Sequence, residues 1–115
     1  FFSFLLFIKP LDIKECVIIT SKFHLERVKL IFNYFLTLFK CDTNITYLFS
    51  ENNMDNELLK LRMNREKKSI ENFKKNVISK FKSLKEFYDW FYIEHNAYNC
   101  KNKIEQIDNL TKNSY

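Results

Sequence analysis

The chain of 115 residues contains no glycine and a single proline, Pro10. Average composition would give roughly eight glycines in a chain of this length. Glycine permits backbone conformations with positive φ and lets the main chain approach a phosphate closely. Its absence therefore excludes a Walker phosphate loop and a glycine-rich dinucleotide fingerprint from these residues. If the parent fold uses such a loop, we expect it upstream of Phe1.

The first half of the chain predicts a strand followed by a helix. The β-branched run at 16–19 predicts a short strand within 12–20 that is buried on both faces, as in a parallel sheet. Apolar residues at three- and four-residue spacing predict a helix from about Lys22 to Phe39, capped by Thr20 or Ser21. The apolar stripe of this helix comprises Leu25, Val28, Ile31, Phe32, Phe35, Leu36 and Phe39.

The second half predicts a further strand at 45–49 and two helices. The first of these two helices runs from Asn56 to about Lys80, and the second of them is capped by Ser83. Their inward residues are predicted as Leu59, Met63, Ile70, Phe73 and Val77, then Leu84, Phe87, Trp90, Phe91 and Ile93. The order is strand, helix, strand, helix, helix. Two strands do not form a stable open sheet by themselves, so the pattern predicts a C-terminal fragment of an α/β parallel-sheet domain.

Three segments follow from these patterns: an apolar leader at 1–11, the domain at 12–100, and a polar tail at 101–115. The leader is apolar for eight residues, whereas a membrane-spanning helix needs about 20. It is interpreted as a segment that is not native to the domain. The end of a truncated membrane anchor or a buried segment are the alternatives, so membrane association is left open.

The net charge of +5 comes mostly from lysine. Nucleic-acid recognition usually draws on arginine and an ordered basic face, so we expect no specific nucleic-acid partner.

Cys16, Cys41 and Cys100 are far apart and form no C-x-x-C pair, so neither a zinc site nor a redox pair is predicted. Scattered reduced cysteines favour an intracellular location, but the sequence does not determine the compartment.

Hydroxyl, imidazole and guanidinium groups follow one another where the first strand meets the first helix. Thr20 and Ser21 lie at this junction, and His24 and Arg27 share a helix face one turn further on. Free backbone N–H groups and the helix dipole favour an anion at such a position. An arginine fork matches phosphate or carboxylate. The pattern predicts a small anionic ligand, with His24 as the candidate for proton transfer.

The segment Thr20-Ser21-x-x-His24-x-x-Arg27 after a β-branched strand resembles the T-S-x-x-H-x-x-R signature of the SanA/ElyC/YdcF family. Most members of this family have no known function. The resemblance implies a Rossmann-like α/β domain in which these four residues line a pocket near the ligand-binding edge of the sheet. The convergence of hydroxyl, imidazole and guanidinium groups at this junction leads to the hypothesis that the ligand is a phosphate-bearing or nucleotide-type small molecule.

The resemblance extends over about 12–98, and the similarity is weaker at Arg65-Glu66 and in the segment from Trp90 to Tyr98. The glycine-bearing loop and the acidic, asparagine-containing motif of the family's N-terminal half are absent. The resemblance therefore covers the C-terminal part of the family domain only, and whether the chain is an enzyme stays open.

Three further residues are candidates for pocket support. Arg62 and Glu66 have the spacing of a helix salt bridge, and the alternative is that they complete the pocket. His95 either supports the pocket or stabilises a helix end.

Two other functions stay open besides ligand binding. One is a non-catalytic scaffold or envelope-associated factor, and the other is a basic module that binds RNA or a membrane surface through the lysine-rich helix.

Overall fold

A computed structural model describes residues 1–94 of the protein as two units, Phe1–Leu84 and a second that begins at Lys85. This part of the chain is mixed α/β, as the sequence predicts. Short helical turns at Phe4–Ile8, Lys22–His24, Lys74–Ile78 and Trp90–Glu94 accompany the main elements. Those elements are β1 (Glu15–Ser21), α1 (Leu25–Leu38), β2 (Asn44–Ser50), α2 (Asn56–Phe73) and α3 (Leu84–Asp89).

The strands β1 and β2 form a two-stranded parallel sheet, with α1 as the connection between them. The register runs from Glu15 opposite Asn44 to Ser21 opposite Ser50. Parallel strands need a crossover connection, and the helical periodicity between the two β-branched runs supplies one. The predicted parallel pairing is therefore confirmed.

The prediction that β1 is buried on both faces is wrong. Val17 is 58% exposed and Ile19 is 75% exposed, and Leu48 of β2 lies opposite Ile19 on the same face. The other face, which carries Ile18 and Tyr47, is half-buried. Side chains alternate between the faces of a strand, so α1 can meet only one of them. Nothing in the described part of the chain buries the face of Val17 and Ile19.

The core of the first unit includes the leader. Phe4 is the largest fully buried side chain, and its ring centroid lies 5.6 Å from that of Phe32 and 5.6 Å from that of Phe39. Ile8 is also buried. Within residues 1–94 no helix is both long and apolar enough to cross a membrane. The domain boundary at residue 11 stays a prediction.

The start of α1 differs from its prediction. β1 continues through Ser21, and a 3₁₀ turn over Lys22–His24 precedes α1. Ser21 precedes that turn in an extended conformation, and its side chain makes no capping hydrogen bond. The predicted capping by Thr20 or Ser21 is therefore wrong, because neither side chain accepts a hydrogen bond from a backbone N–H of the turn or of α1.

The end of α1 is built without glycine. Lys40 has a φ of 53°. The N–H of Cys41 donates to the carbonyl of Leu36 at 2.9 Å, and the N–H of Lys40 donates to that of Thr37 at 3.1 Å. This pair of bonds is the Schellman motif, whose positive-φ position is usually occupied by glycine. A lysine therefore occupies a strained backbone position here.

The second predicted helix is confirmed in type and extent. α2 begins after Asp55, whose Oδ1 accepts a hydrogen bond from the N–H of Leu58 at 2.8 Å, and the turn at Lys74–Ile78 continues it. Its predicted stripe is wrong at Met63, which is exposed, while Glu66 is buried. The inward side predicted for the last helix is likewise wrong at Ile93, which is exposed, although Phe87 and Phe91 are buried. The polar tail at 101–115 lies outside the described residues.

Candidate functional site

Glu66 is a buried carboxylate on α2. Its side chain is only 10% exposed, and it lies on the apolar stripe between Leu59 and Ile70. Acidic side chains are almost never this buried unless they are paired. The position therefore requires cationic or hydrogen-bonding partners from other parts of the fold.

The partners of Glu66 are His24 and Arg27. Glu66 Oε1 lies 2.8 Å from His24 Nδ1, and Glu66 Oε2 lies 2.8 Å from Arg27 Nε. The side chains of His24 and Arg27 are 33% and 34% exposed. Arg27 Nη2 also lies 3.2 Å from His24 Nδ1. These three residues form the His24–Arg27–Glu66 cluster, which joins α2 to the beginning of α1.

The contact between Arg27 and Glu66 is an ion pair rather than a well-directed hydrogen bond. Glu66 Oε2 is buried and accepts no hydrogen bond of regular geometry among the described residues, although Arg27 Nε is 2.8 Å away. Coulomb attraction depends on the separation of the charges and not on the N–H direction, so Arg27 and Glu66 still attract each other at this distance.

Phe23 connects the cluster to Arg62. The ring centroids of Phe23 and His24 are 4.0 Å apart, and Arg62 Cζ lies 5.4 Å from the centroid of the Phe23 ring. Arg62 therefore makes a cation–π contact. Among the residues that the structure describes, it forms no salt bridge with Glu66. Sequence reasoning missed Phe23, although its position immediately before His24 in the motif was a usable signal.

The remaining sequence-predicted residues are not joined to the cluster. Thr20 and Ser21 end β1 and are half-buried, and within residues 1–94 neither makes a hydrogen bond with His24, Arg27 or Glu66. His95 lies outside the described residues. The structure thus brings together His24, Arg27 and Glu66. Arg62 contacts the Phe23 ring, which in turn contacts His24.

The cluster combines a permanent cation, a carboxylate and an imidazole. Arg27 can bind an oxyanion, and His24 can accept or donate a proton. Glu66 offsets part of the positive charge of Arg27, so any external anion must compete with an internal one. In the described part of the chain no three His, Cys, Asp or Glu side chains are grouped to hold a metal ion.

Fold and site together define a mixed α/β chain with a His–Arg–Glu cluster at a strand-to-helix junction. No protein-family model matches the chain, and neither a curated protein nor a solved structure shows significant similarity to it. The SanA/ElyC/YdcF resemblance therefore stays a prediction that depends on the motif from Thr20 to Arg27.

Proposed function

We propose that the chain is the C-terminal part of a YdcF-like, Rossmann-like domain that binds a small phosphate-bearing anion at the junction of β1 and α1. The observation that carries this proposal is the convergence of His24, Arg27 and the start of α1 beyond the end of β1. In open parallel sheets, ligands bind outside the carboxyl ends of the strands.

Three features of the junction favour an anion. The N–H groups of the 3₁₀ turn at Lys22–His24 have no acceptor within the turn, and the Ser21 side chain does not cap them, whereas the N–H of Leu25 at the start of α1 already donates to the Lys22 carbonyl. The helix dipole adds positive potential at the same end. Arg27 supplies a full positive charge one turn further along. In this proposal Thr20, Ser21 and the backbone hold the anion, Arg27 neutralises it, and His24 transfers a proton.

Glu66 has two effects on such a site. Its contact with Nε fixes one edge of the Arg27 guanidinium, which leaves fewer rotamers to order when a ligand binds. Its negative charge also opposes an incoming phosphate. A variant without that charge should therefore bind phosphate more tightly, provided that the junction keeps its geometry.

The uncovered sheet face supports the larger-domain part of the proposal. Parallel sheets normally have both faces covered by helices. Val17, Ile19 and Leu48 instead present an exposed apolar surface on one face. A Rossmann-like domain would cover these side chains with a further layer of helices.

The experiment is a titration of the protein with inorganic phosphate and with adenosine monophosphate. We expect Arg27→Ala to weaken binding by about 10- to 100-fold, because a hydrogen bond to a charged group contributes about 1.5–3 kcal/mol. Arg65→Ala is the matched control, since Arg65 lies exposed on α2 and should leave the affinity unchanged. Equal affinity in wild type and Arg27→Ala, or no binding of either probe, would refute the proposal and favour a non-catalytic scaffold.

A further inference from the structure

The positive charge of the chain is concentrated on α2 and on the segment that continues it. Nine of the 19 lysines and arginines lie within 56–82, against three of the 14 acidic residues. These residues therefore carry a formal net charge of +6, and the rest of the chain carries −1. One of the three acids, Glu66, is buried against His24 and Arg27, so it offsets little of the exposed charge. Such an asymmetry produces a local positive potential rather than a uniformly charged surface.

Five exposed lysines form one side of this segment, which we call the lysine face. Its members are Lys60, Lys67, Lys68, Lys74 and Lys75. They fall into two rows along the helix axis, because successive members of a row are seven residues, or about two helical turns, apart. Neighbours within a row are separated by about 10 Å of helix rise. Glu66 and Val77, which are buried, lie on the other side of the segment.

The ammonium groups of the lysine face are not engaged by internal carboxylates. In the described part of the chain no salt bridge involves any of these five lysines. Glu71 lies between the two rows, four residues from Lys67 and four from Lys75, and it is not within salt-bridge distance of either. The lysine face can therefore pair with an external polyanion without first breaking internal ion pairs.

The residues of the lysine face favour one class of polyanion. Lysine is a point charge with three donors and no acceptor, so it contacts phosphate oxygens and does not read base edges as an arginine fork can. Single strands are bound through aromatic side chains that stack on the bases, whereas Asn64 and Glu71 stand between the rows. A helix on a membrane turns its apolar stripe into the lipid. The stripe of α2 instead faces the fold, where Phe73 packs on Tyr34 with ring centroids 5.5 Å apart.

We propose that the lysine face binds the phosphate backbone of double-stranded nucleic acid without sequence preference. A duplex carries one negative charge per about 1.7 Å of its axis, so each lysine finds a phosphate in any register. Binding releases the counterions condensed on those phosphates, which drives the association. The absence of base-reading side chains agrees with the expectation that the chain has no sequence-specific nucleic-acid partner.

The test is a fluorescence-anisotropy titration of a short, mixed-sequence DNA duplex with the full chain at several salt concentrations. Each neutralised phosphate contributes about −0.9 to the slope of log K against log salt, so five lysines should give a slope of about −4.5. The triple variant Lys60→Gln, Lys67→Gln, Lys74→Gln keeps two of the five lysines. We expect its slope to be about −2 and its affinity at low salt to be lower by about 10-fold or more.

The matched control is the triple variant Lys9→Gln, Lys29→Gln, Lys40→Gln. It removes the same charge from exposed positions outside α2, so its slope should stay near the wild-type value and its affinity should change by no more than about twofold. Far-ultraviolet circular dichroism checks that both triple variants are folded. If either is not, the wild-type slope alone decides.

Three results would overturn the proposal. A wild-type slope shallower than about −2 would show that too few phosphates are contacted. Equal losses in the two triple variants would show attraction by net charge alone. Tighter binding to a single strand, or binding to phosphatidylserine vesicles without binding to the duplex, would assign the lysine face to another partner. Arg27→Ala should leave duplex affinity within about twofold, so failure of the small-ligand proposal is a separate result.

Discussion

Replacing Glu66 by glutamine should cost this protein about 2 kcal/mol of folding free energy. Breaking a fully buried ion pair costs about 3–5 kcal/mol, whereas exposed pairs contribute about 0.2–1 kcal/mol. Glu66 is 10% exposed but its two partners are about one-third exposed, so water can solvate the cations that are left behind. The expected value lies between the two limits. Glutamine keeps the size of the side chain, removes its charge and replaces one acceptor oxygen by an NH2 donor.

The assay is urea denaturation and, separately, thermal denaturation, both followed by far-ultraviolet circular dichroism. A loss of about 2 kcal/mol would lower the thermal midpoint by about 10 °C in a protein of this size. Glu71→Gln, on the exposed side of α2, is the control and should change stability by less than about 0.5 kcal/mol.

A double-mutant cycle of Glu66→Gln with Arg27→Gln isolates the ion pair from other effects. We expect a coupling energy of about 1 kcal/mol or more, with weak dependence on salt because the pair is largely buried. Two results would refute the reasoning: a Glu66→Gln protein as stable as the Glu71→Gln control, or additive effects of the two substitutions.

Three further substitutions follow from the packing and backbone of the first unit. Lys40→Gly should stabilise the protein by about 1 kcal/mol in urea denaturation, because Lys40 has a φ of 53°, and a loss of stability would contradict the strain argument. Phe4→Ala should cost about 3–5 kcal/mol because Phe4 is fully buried, while Phe7→Ala at an exposed position should cost less than about 0.5 kcal/mol. Tyr47→Phe should stabilise by about 1 kcal/mol, because the hydroxyl is buried without a hydrogen-bond partner among the described residues. Burial also raises the pKa of the Tyr47 phenol, so the folded state holds that proton more tightly than the unfolded state. The contribution of the Tyr47 phenol to the free energy of unfolding should therefore be fully present below its unfolded pKa. It should be lost as the pH rises through its folded pKa, a decline that Tyr47→Phe should reduce.

Local patterns in the sequence predicted most of the secondary structure. The β-branched runs before Thr20 and before Ser50 are strands, and the apolar stripe up to Phe39 is a helix. These elements follow from side-chain periodicity over a few residues, which is why they can be read without the fold. The errors at Ser21, Met63 and Ile93 have a shared cause, since capping and burial depend on what lies beside each residue in space.

The candidate site was only half visible in the sequence. The spacing of His24 and Arg27 placed them on one helix face, and a carboxylate on the apolar stripe of α2 was a signal that Glu66 needed partners. The sequence offered an alternative for Glu66, a salt bridge with Arg62 on the same helix. The structure places Glu66 against His24 and Arg27 instead, and Arg62 against Phe23.

The sequence by itself determined the order of the elements, the parallel strand pair and the position of the motif from Thr20 to Arg27. It also excluded a glycine-rich phosphate loop within these residues. Only the tertiary structure decided which sheet face stays exposed and which carboxylate pairs with His24 and Arg27. Periodicity is a property of neighbouring residues, whereas burial and ion pairing depend on how separate helices and strands pack against one another.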